Sequence, residues 1–192
     1  STARSVEIIR KMKKKGIHIT CETCPQYFTL TEDEVLVQGS LARVNPPLRT
    51  AQDVKGIIAG LKDGTIDAIA TDHAPHSAEE KARPLVRAPS GMIGLETSLA
   101  ITLTQLYHTG KMELPEIIRR MSTNPSDILH LPKGRMSLGV DGDLTIFDPN
   151  EEWTVDPERF ASKARNTPFG GWKVKGRVKY TIVKGRVIYR QA

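Results

Sequence analysis

The sequence is poor in cysteine, in aromatic residues and in long apolar runs. It has two cysteines among 192 residues, which argues against a disulfide framework and favours a reducing compartment, so we expect a cytoplasmic protein. No apolar run approaches the roughly 18 residues of a membrane span, and we predict no membrane insertion. No secretory leader is evident, because residues 1–16 have the pattern of an amphipathic helix rich in Arg and Lys. An initiator methionine is also missing, and we expect the chain to start inside a longer protein.

The formal net charge of +6 raises nucleic-acid binding as one alternative. The densest basic run, residues 10–15, closes the first predicted helix, and cations are favourable at a helix C-terminus. The second basic cluster, residues 173–190, alternates with apolar residues, as the exposed face of a strand does. Neither cluster comes with base-stacking aromatics or a known nucleic-acid motif. We therefore predict no nucleic-acid partner.

Helix and strand patterns alternate before residue 131. Helical apolar spacing predicts helices over about residues 2–15, 31–37, 52–62, 94–109 and 114–130. Short apolar or β-branched runs predict strands over residues 17–24, 41–44 and 66–71. Thr31 to Glu34 resembles a capping box at the start of its helix. The alternating order implies parallel strands with helical crossovers, so the predicted fold class is α/β.

The pattern changes after about Pro132, where glycines punctuate the chain. Antiparallel strands are predicted over residues 144–147, 153–155, 174–178 and 180–189. Lys184 and Gly185 suggest a tight turn inside the last of these segments. We place the division at residues 133 and 134, which leaves a β segment near the lower size limit for independent stability.

Small polar or proline-rich clusters follow the predicted parallel strands, at residues 24–26, 45–47 and 71–76. In a (β/α)8 barrel, catalytic groups lie at the C-terminal ends of the strands. The third cluster is the most informative, because Asp72, His73 and His76 follow a nearly continuous apolar strand. Alone, such a group is also typical of a turn with a hydrogen-bonded histidine. At a barrel strand end, the Asp can bind a metal and take a proton from water that the metal acidifies.

The spacing of Cys21 and Cys24 suggests a redox or zinc site as an alternative. In an extended strand, however, positions three apart lie on opposite faces, so both thiols would not meet one metal. No second cysteine pair exists to complete a four-cysteine site. We expect ordinary buried cysteines.

The sequence resembles the dihydroorotases of the metal-dependent amidohydrolase superfamily over nearly its whole length. The motifs that carry this resemblance, in order, are CETCP at 21–25, NPPLR at 45–49, TDHAPH at 71–76, PSGMIGLET at 89–97 and PFGGW at 168–172. An Asp-His pair alone is weak, since hydantoinases and allantoinases have similar pairs. The TDHAPH motif followed by Glu80 and Lys81 is more specific, because related dihydropyrimidinases tend to lack a histidine at the position of His76.

The resemblance implies a fold and a reaction. It implies the carboxy-terminal part of a TIM-type (β/α)8 barrel, with the last three or so units in residues 1–133, followed by part of a small β-sandwich domain in 134–192. The implied activity is zinc-dependent, reversible hydrolysis of the cyclic amide of dihydroorotate to N-carbamoyl-aspartate, in pyrimidine biosynthesis. A hydantoinase or allantoinase is the alternative within this class. A non-catalytic, dihydroorotase-like assembly module is the alternative outside it.

The resemblance also implies roles for individual residues. Asp72 matches a metal ligand that serves as general base and acid. His76 matches a residue that helps hold the substrate carboxylate, Asn45 matches a substrate contact, and the backbone of Ser90 and Gly91 meets the pyrimidine ring. The alternative for Asn45 is a turn former before two prolines, and for His76 a loop histidine that caps a backbone group.

The family's histidine ligands and its carboxylate-binding arginine have no match in this chain. One or two zinc ions are implied, with most ligands upstream of residue 1. We therefore expect the chain alone to bind metal weakly and to leave dihydroorotate unhydrolysed. Open sheet edges and bare apolar helix faces predict that it aggregates or depends on the rest of the barrel. The implied small-molecule partner is dihydroorotate or carbamoyl aspartate. The implied protein partner is a further copy of the chain or another enzyme of the pyrimidine pathway. His73 is expected to be structural.

Overall fold

The computed structural model describes residues 1–191, which divide into two units that are interleaved along the chain. Unit 1 comprises Ser1–Ser98 and Thr154–Trp172, and unit 2 comprises Leu99–Trp153 and the described part of Lys173–Ala192. The predicted domain division at residues 133 and 134 stays a prediction.

Unit 1 is mainly helical, with two short strands. Its elements are α1 (Ala3–Lys14), β1 (Glu22–Thr23), α2 (Pro25–Thr29), α3 (Glu34–Gln38), a 3₁₀-helix (Gly39–Ala42), α4 (Ala51–Lys62), β2 (Ala68–Ile69), α5 (Ala78–Lys81) and a 3₁₀-helix (Pro157–Arg159). Its first segment ends at the first residue of α6 (Ser98–Thr102), whose other residues belong to unit 2. Its core contains apolar side chains from α1, α2 and α4 and from the segments between elements, including Val6, Phe28, Leu30, Ile57, Leu61, Ile66 and Phe169. Burial of each such side chain stabilises the unit by roughly 1.5–3 kcal/mol.

Helices α1 and α4 are joined at their N-termini by one carboxylate. Thr50 and Asp53 form a reciprocal capping box at the start of α4. Asp53 Oδ1 also accepts a hydrogen bond from Ala3 N, at 2.9 Å, and so satisfies a free donor at the start of α1. Gly56 allows the two helices to approach closely, since a Cβ at this position would lie 2.4 Å from Ala3 Cβ. The predicted helices over 2–15 and 52–62 are confirmed.

Strands β1 and β2 are parallel, with Glu22 opposite Ala68 and Thr23 opposite Ile69. The parallel arrangement predicted from the helix and strand alternation is therefore confirmed, although both strands are shorter than predicted. The strand predicted over residues 41–44 is wrong, since this stretch begins in the 3₁₀-helix and continues without strand pairing. Consequently β1 and β2 are direct neighbours.

The predicted capping box at Thr31 is also wrong. The helix α3 begins at Glu34, and its N-cap residue Asp33 makes no side-chain capping bond. Thr31 Oγ1 instead donates to the Asp33 carboxylate at 3.2 Å. The Thr31 hydroxyl is thus bonded to the Asp33 side chain and caps no backbone donor of α3.

Unit 2 combines helices that contain π turns with a three-stranded sheet. The continuation of α6 is a π turn (Leu103–Tyr107), followed by α7 (Leu114–Ile118), a second π turn (Arg119–Thr123), α8 (Asn124–Ile128), β3 (Leu144–Thr154), β4 (Lys173–Val183) and β5 (Arg186–Arg190). The helices predicted over 94–109 and 114–130 are confirmed in position. The strands predicted over 144–147 and 153–155 are one continuous strand, β3.

The sheet of unit 2 has the order β3-β4-β5, with β4 and β5 antiparallel. The predicted turn between them is confirmed, because Lys184 and Gly185 both have left-handed backbones, with φ of 49° and 74°. Two consecutive left-handed residues are typical of a type I′ hairpin turn. Strand β4 approaches Leu103 at Gly176, where an added Cβ would lie 2.4 Å from Leu103 Cδ1.

Several large apolar side chains are exposed in each unit. Leu36, Val37 and Val86 in unit 1 and Met136 and Leu138 in unit 2 are each at least 78% exposed. Such side chains mark contact surfaces or aggregation-prone surfaces, and the predicted aggregation would depend on them. Within the described chain, no helix has the length and apolar character needed to cross a membrane.

Candidate active site

Asp72 lies just beyond β2, at the edge of the sheet where the carboxyl ends of β1 and β2 meet. Its side chain is exposed, and its backbone has a φ of 50°, in the left-handed region. Few residues other than glycine adopt this conformation, and it is enriched at functional sites. Within residues 1–191, the Asp72 carboxylate accepts no hydrogen bond, so its oxygens are available to a ligand.

Cys24 and Tyr27 lie close enough to Asp72 to feel its charge. Burial raises the pKa of the Cys24 thiol to about 12, and the negative charge of Asp72 adds to this effect. Burial, followed by Cys24 and Asp72, also raises the pKa of Tyr27. Both groups therefore stay neutral near pH 7. Burial is confirmed for Cys24, whereas Cys21 is half-buried and donates its thiol to Thr65 O at 3.2 Å.

Asn45 precedes a cis peptide bond to Pro46 and is exposed. The turn is anchored by the Tyr27 hydroxyl, which donates to Pro46 O at 2.9 Å. The Asn45 side chain makes no hydrogen bond to any described residue. The residue is therefore both a turn former and a free amide, so a substrate contact at this position stays a prediction.

His76 is bonded on several sides by protein groups. Its backbone N donates to Asn166 Oδ1 at 3.1 Å, and its ring Nε2 lies 3.1 Å from Ser90 O. Since a carbonyl only accepts, Nε2 carries the proton in this contact. Ring Nδ1 lies 3.8 Å from Glu80 Oε2. This geometry corresponds to the backbone-capping alternative, and contact with a substrate carboxylate stays a prediction.

Ser90 and Gly91 are held in place through their backbone. Gly91 N donates to Arg43 O at 2.9 Å, while Ser90 O contacts the His76 ring. Gly91 has a φ of 136°, and an added Cβ would lie 2.5 Å from Ala74 Cβ, so only glycine fits here. Ser90 N–H has no hydrogen-bond partner among residues 1–191 and is a free donor.

Two residues that the sequence analysis did not assign to the site bind this segment. Lys81 Nζ donates to Pro89 O at 3.1 Å and to Gly91 O at 2.9 Å. Asn166 Nδ2 donates to Ala74 O at 2.9 Å and to Gly91 O at 3.2 Å. The motifs gave a partial signal, because Lys81 follows TDHAPH and Asn166 lies two residues before PFGGW.

His73 has a structural role, as expected. Its Nδ1 accepts hydrogen bonds from Gly94 N at 3.1 Å and Leu95 N at 3.3 Å. Its backbone pairs in parallel with Met92, and Ala74 N donates to Met92 O. The loop that carries Asp72 is thus paired with the segment that follows Gly91.

The structure brings together His76, Ser90 and Gly91 among the predicted site residues, and places Asp72 and Asn45 as exposed residues of the same unit. No group of three or more His, Cys, Asp or Glu side chains in residues 1–191 could hold a metal ion. The exposed Asp72 carboxylate fits one position of a metal site, since carboxylate oxygens bind divalent ions. A complete set of metal ligands would therefore need groups from outside the described residues.

Comparisons with known proteins identify the family to which the chain is similar. The amidohydrolase family model matches residues 2–188. The chain is 49% identical over 191 residues to a dihydroorotase of Acetivibrio thermocellus, covering 100% of this chain and 45% of the relative. It is 50% identical over 190 residues to a dihydroorotase of Citrifermentans bemidjiense, covering 99% and 45%. The chain therefore spans less than half the length of these curated relatives.

Solved structures of related hydrolases share the fold. An L-hydantoinase (dihydropyrimidinase) from Arthrobacter aurescens superposes with a TM-score of 0.93 at 31% identity, covering 100% of this chain and 44% of that one. A dihydropyrimidinase from Brevibacillus agri superposes with a TM-score of 0.92 at 26% identity, covering 99% and 43%.

Proposed function

The chain belongs to the amidohydrolase family, and we propose that it is the carboxy-terminal part of a dihydroorotase. The observation that carries the proposal is the exposed, left-handed Asp72 at the shared edge of two parallel strands. Relatives 49% and 50% identical that are named dihydroorotase support the choice of substrate. In this proposal, residues 1–133 supply the last units of a (β/α)8 barrel and residues 134–192 part of a small β-sandwich domain.

The proposed reaction is hydrolysis of the ring amide of dihydroorotate. The oxygen of water bonds to the ring carbonyl carbon, the bond from that carbon to the ring nitrogen breaks, and a carboxylate and a carbamoyl group result. Asp72 accepts the proton of the attacking water as general base and delivers it to the departing nitrogen as general acid. The same steps in reverse order close the ring, so one carboxylate serves both directions.

Asp72 would also be one ligand of the metal, proposed to be one or two zinc ions. When bound, such an ion supplies Lewis acidity and lowers the pKa of water towards about 7. This allows a weak base such as an aspartate to accept the proton. The other ligands would come from the part of the enzyme that this chain does not contain.

The substrate would be held by groups at the same edge of unit 1. The free amide of Asn45 and the free N–H of Ser90 can both bind acceptor atoms of the ring or its carboxylate. His76 would contribute at the substrate carboxylate, and Gly91 would leave room for the ring. We propose a cytoplasmic enzyme of pyrimidine biosynthesis that associates with a second copy or with other enzymes of that pathway.

A hydantoinase-type activity is the second candidate, because the structures from Arthrobacter aurescens and Brevibacillus agri share the fold. Those proteins are 31% and 26% identical to the chain, well below the 49% of the Acetivibrio thermocellus dihydroorotase. The contact between His76 and Ser90 also depends on a histidine that related dihydropyrimidinases tend to lack. Both observations favour dihydroorotate.

A chimeric enzyme tests the proposal. In the dihydroorotase of Acetivibrio thermocellus, the segment that this chain matches is replaced by the chain itself, and carbamoyl aspartate formed from dihydroorotate is measured by liquid chromatography. We expect the chimera to hydrolyse dihydroorotate, and the 192-residue chain alone to be inactive. The variant Asp72→Asn should lose about 10²–10⁴-fold in kcat, the usual contribution of a general base. The matched control is Asp141→Asn, at an exposed carboxylate in unit 2.

Three results would contradict the proposal. The first is a folded chimera without turnover, and the second is turnover of hydantoin or dihydrouracil faster than that of dihydroorotate. The third is an Asp72→Asn chimera as active as the Asp141→Asn control. Turnover by the chain alone would contradict only the statement that its site is incomplete.

A further inference from the structure

Two buried side chains converge on the carbonyl oxygen of Gly91. Lys81 Nζ donates to it from 2.9 Å and Asn166 Nδ2 from 3.2 Å. Both residues are 4% exposed, and neither belongs to the segment that it binds. A carbonyl oxygen has two lone pairs, so these donors saturate it. The Gly91 carbonyl is thereby unavailable to any ligand.

We propose that Lys81 and Asn166 are positioning residues, which fix the backbone of Ser90 and Gly91 so that Ser90 N–H is presented to the substrate. The identity of that substrate rests on the proposed function. The backbone polar groups at these two positions are otherwise satisfied, since Gly91 N donates to Arg43 O and Ser90 O contacts His76 Nε2. Only Ser90 N–H is left over among the described contacts, so a rigid segment offers a single donor.

Lys81 is suited to this role because its charge has no carboxylate partner in the described chain. Burial lowers the pKa of Lys81, and the nearby Arg43 lowers it further. A buried ammonium needs strong acceptors, and the carbonyls of Pro89 and Gly91 are the ones it contacts. An apolar side chain could fill the same space without desolvating a charge. The ammonium therefore holds these two carbonyls in place as well as filling the interior.

Asn166 links this segment to the loop that carries Asp72. Its Nδ2 donates to Ala74 O as well as to Gly91 O, and its Oδ1 accepts from His76 N. Its own carbonyl accepts from Ile93 N at 3.0 Å. One side chain thus sets the spacing between the proposed base and the proposed ring contact. Displacement of a reacting group by about 1 Å can cost about 10²-fold in rate.

Substitutions of Lys81 and of Asn166 should therefore have different effects on the kinetics. Lys81→Met removes the charge but keeps a long side chain, and it affects only residues 89–91. In the chimera we expect KM for dihydroorotate to rise at least tenfold, with kcat nearly unchanged. Asn166→Asp is isosteric and keeps the acceptor for His76 N, but it cannot donate to the two carbonyls. We expect it to raise KM and to lower kcat, because the Asp72 loop is displaced too.

The experiment measures steady-state kinetics and amide hydrogen exchange at Gly91 in the chimera. Matched controls are Lys62→Met and Asn150→Asp, which make the same chemical changes at exposed positions. If one of the two test variants does not fold, the other still decides. Exchange at Gly91 should accelerate in both test variants and remain unchanged in both controls.

Failure of this inference can be told apart from failure of the proposed function. If the unmodified chimera is active but KM is unchanged in the folded test variants, Lys81 and Asn166 are merely structural and the inference is overturned. If the unmodified chimera does not hydrolyse dihydroorotate, the proposed function fails and exchange alone decides. In that case, faster exchange at Gly91 supports the positioning role, and rates equal to those of the controls overturn it.

Discussion

Gly91→Ala tests whether the segment at Ser90 and Gly91 is as tightly constrained as its contacts indicate. The substitution places a side chain at a φ of 136°, where the new Cβ would lie 2.5 Å from Ala74 Cβ. A non-glycine residue in such a region costs about 1–3 kcal/mol. To relieve this overlap, residue 91 and Ala74 must move apart by nearly 1 Å. Overpacking of this kind costs about a further 1–3 kcal/mol. We therefore expect a local destabilisation of at least about 2 kcal/mol.

Amide hydrogen exchange in the chimera measures this local free energy directly. A loss of about 2 kcal/mol corresponds to roughly 30-fold faster exchange at Gly91 and at Ile93. Gly16→Ala is the matched control, since Gly16 has a φ of 78° but nothing within 4 Å of an added Cβ. This control adds a side chain at a positive φ without a steric overlap with any neighbour. Equal acceleration at the site in both variants, or none in Gly91→Ala, would refute the reasoning.

Three further predictions concern the framework of unit 1. Gly56→Ala should lower the thermal unfolding midpoint of the chimera, because the added Cβ would lie 2.4 Å from Ala3 Cβ and force α1 from α4; an unchanged midpoint would contradict this close packing. Hydrogen bonds from Ala3 N, and then from Thr50, lower the pKa of Asp53. The contribution of Asp53 to the stability of the folded state is therefore present above the ordinary pKa of about 3.9, and it is lost as pH falls through the lowered pKa of the folded state. Asp53→Asn should therefore reduce the unfolding midpoint more at pH 7 than at pH 3, and an equal effect at both would contradict this. Because burial raises the pKa of Cys24 to about 12, iodoacetamide should leave Cys24 unlabelled at pH 8 until urea unfolds the chain; mass spectrometry would reveal rapid labelling if this is wrong.

The parallel strands and the principal helices could be predicted because each depends on local signals. Apolar spacing at helical period marks α1 and α4, and a short apolar run marks β2. The strand predicted over 41–44 shows where such signals mislead. Ala42 and Val44 are buried at alternate positions, as in a strand, yet Arg43 N bonds to Ser40 O within a 3₁₀ turn. Alternate burial alone does not determine which backbone hydrogen bonds form.

The candidate site divides in the same way between local and long-range information. Asp72 and His76 lie in one motif at a strand end, so the sequence indicates them. The contacts of Asn166 with Gly91 and Ala74 join positions separated by 75 and 92 residues. Spacing within a motif says nothing about such contacts, because they depend on how the chain folds back. Lys81 was visible as part of a motif, but its hydrogen bonds to two carbonyls were not.

Hydrogen-bonding capacity separates the predicted site residues into two groups. A group that binds a ligand needs donors or acceptors that the protein has not already used. The side chains of Asp72 and Asn45 and the N–H of Ser90 meet this criterion within residues 1–191. Both ring nitrogens of His76 already face protein groups. Nε2 contacts Ser90 O, and Nδ1 faces Glu80, whose negative charge would repel a carboxylate. Ligand contacts at Asp72, Asn45 and Ser90 would thus use groups that are already free, whereas a contact at His76 would have to compete with Ser90 O and Glu80.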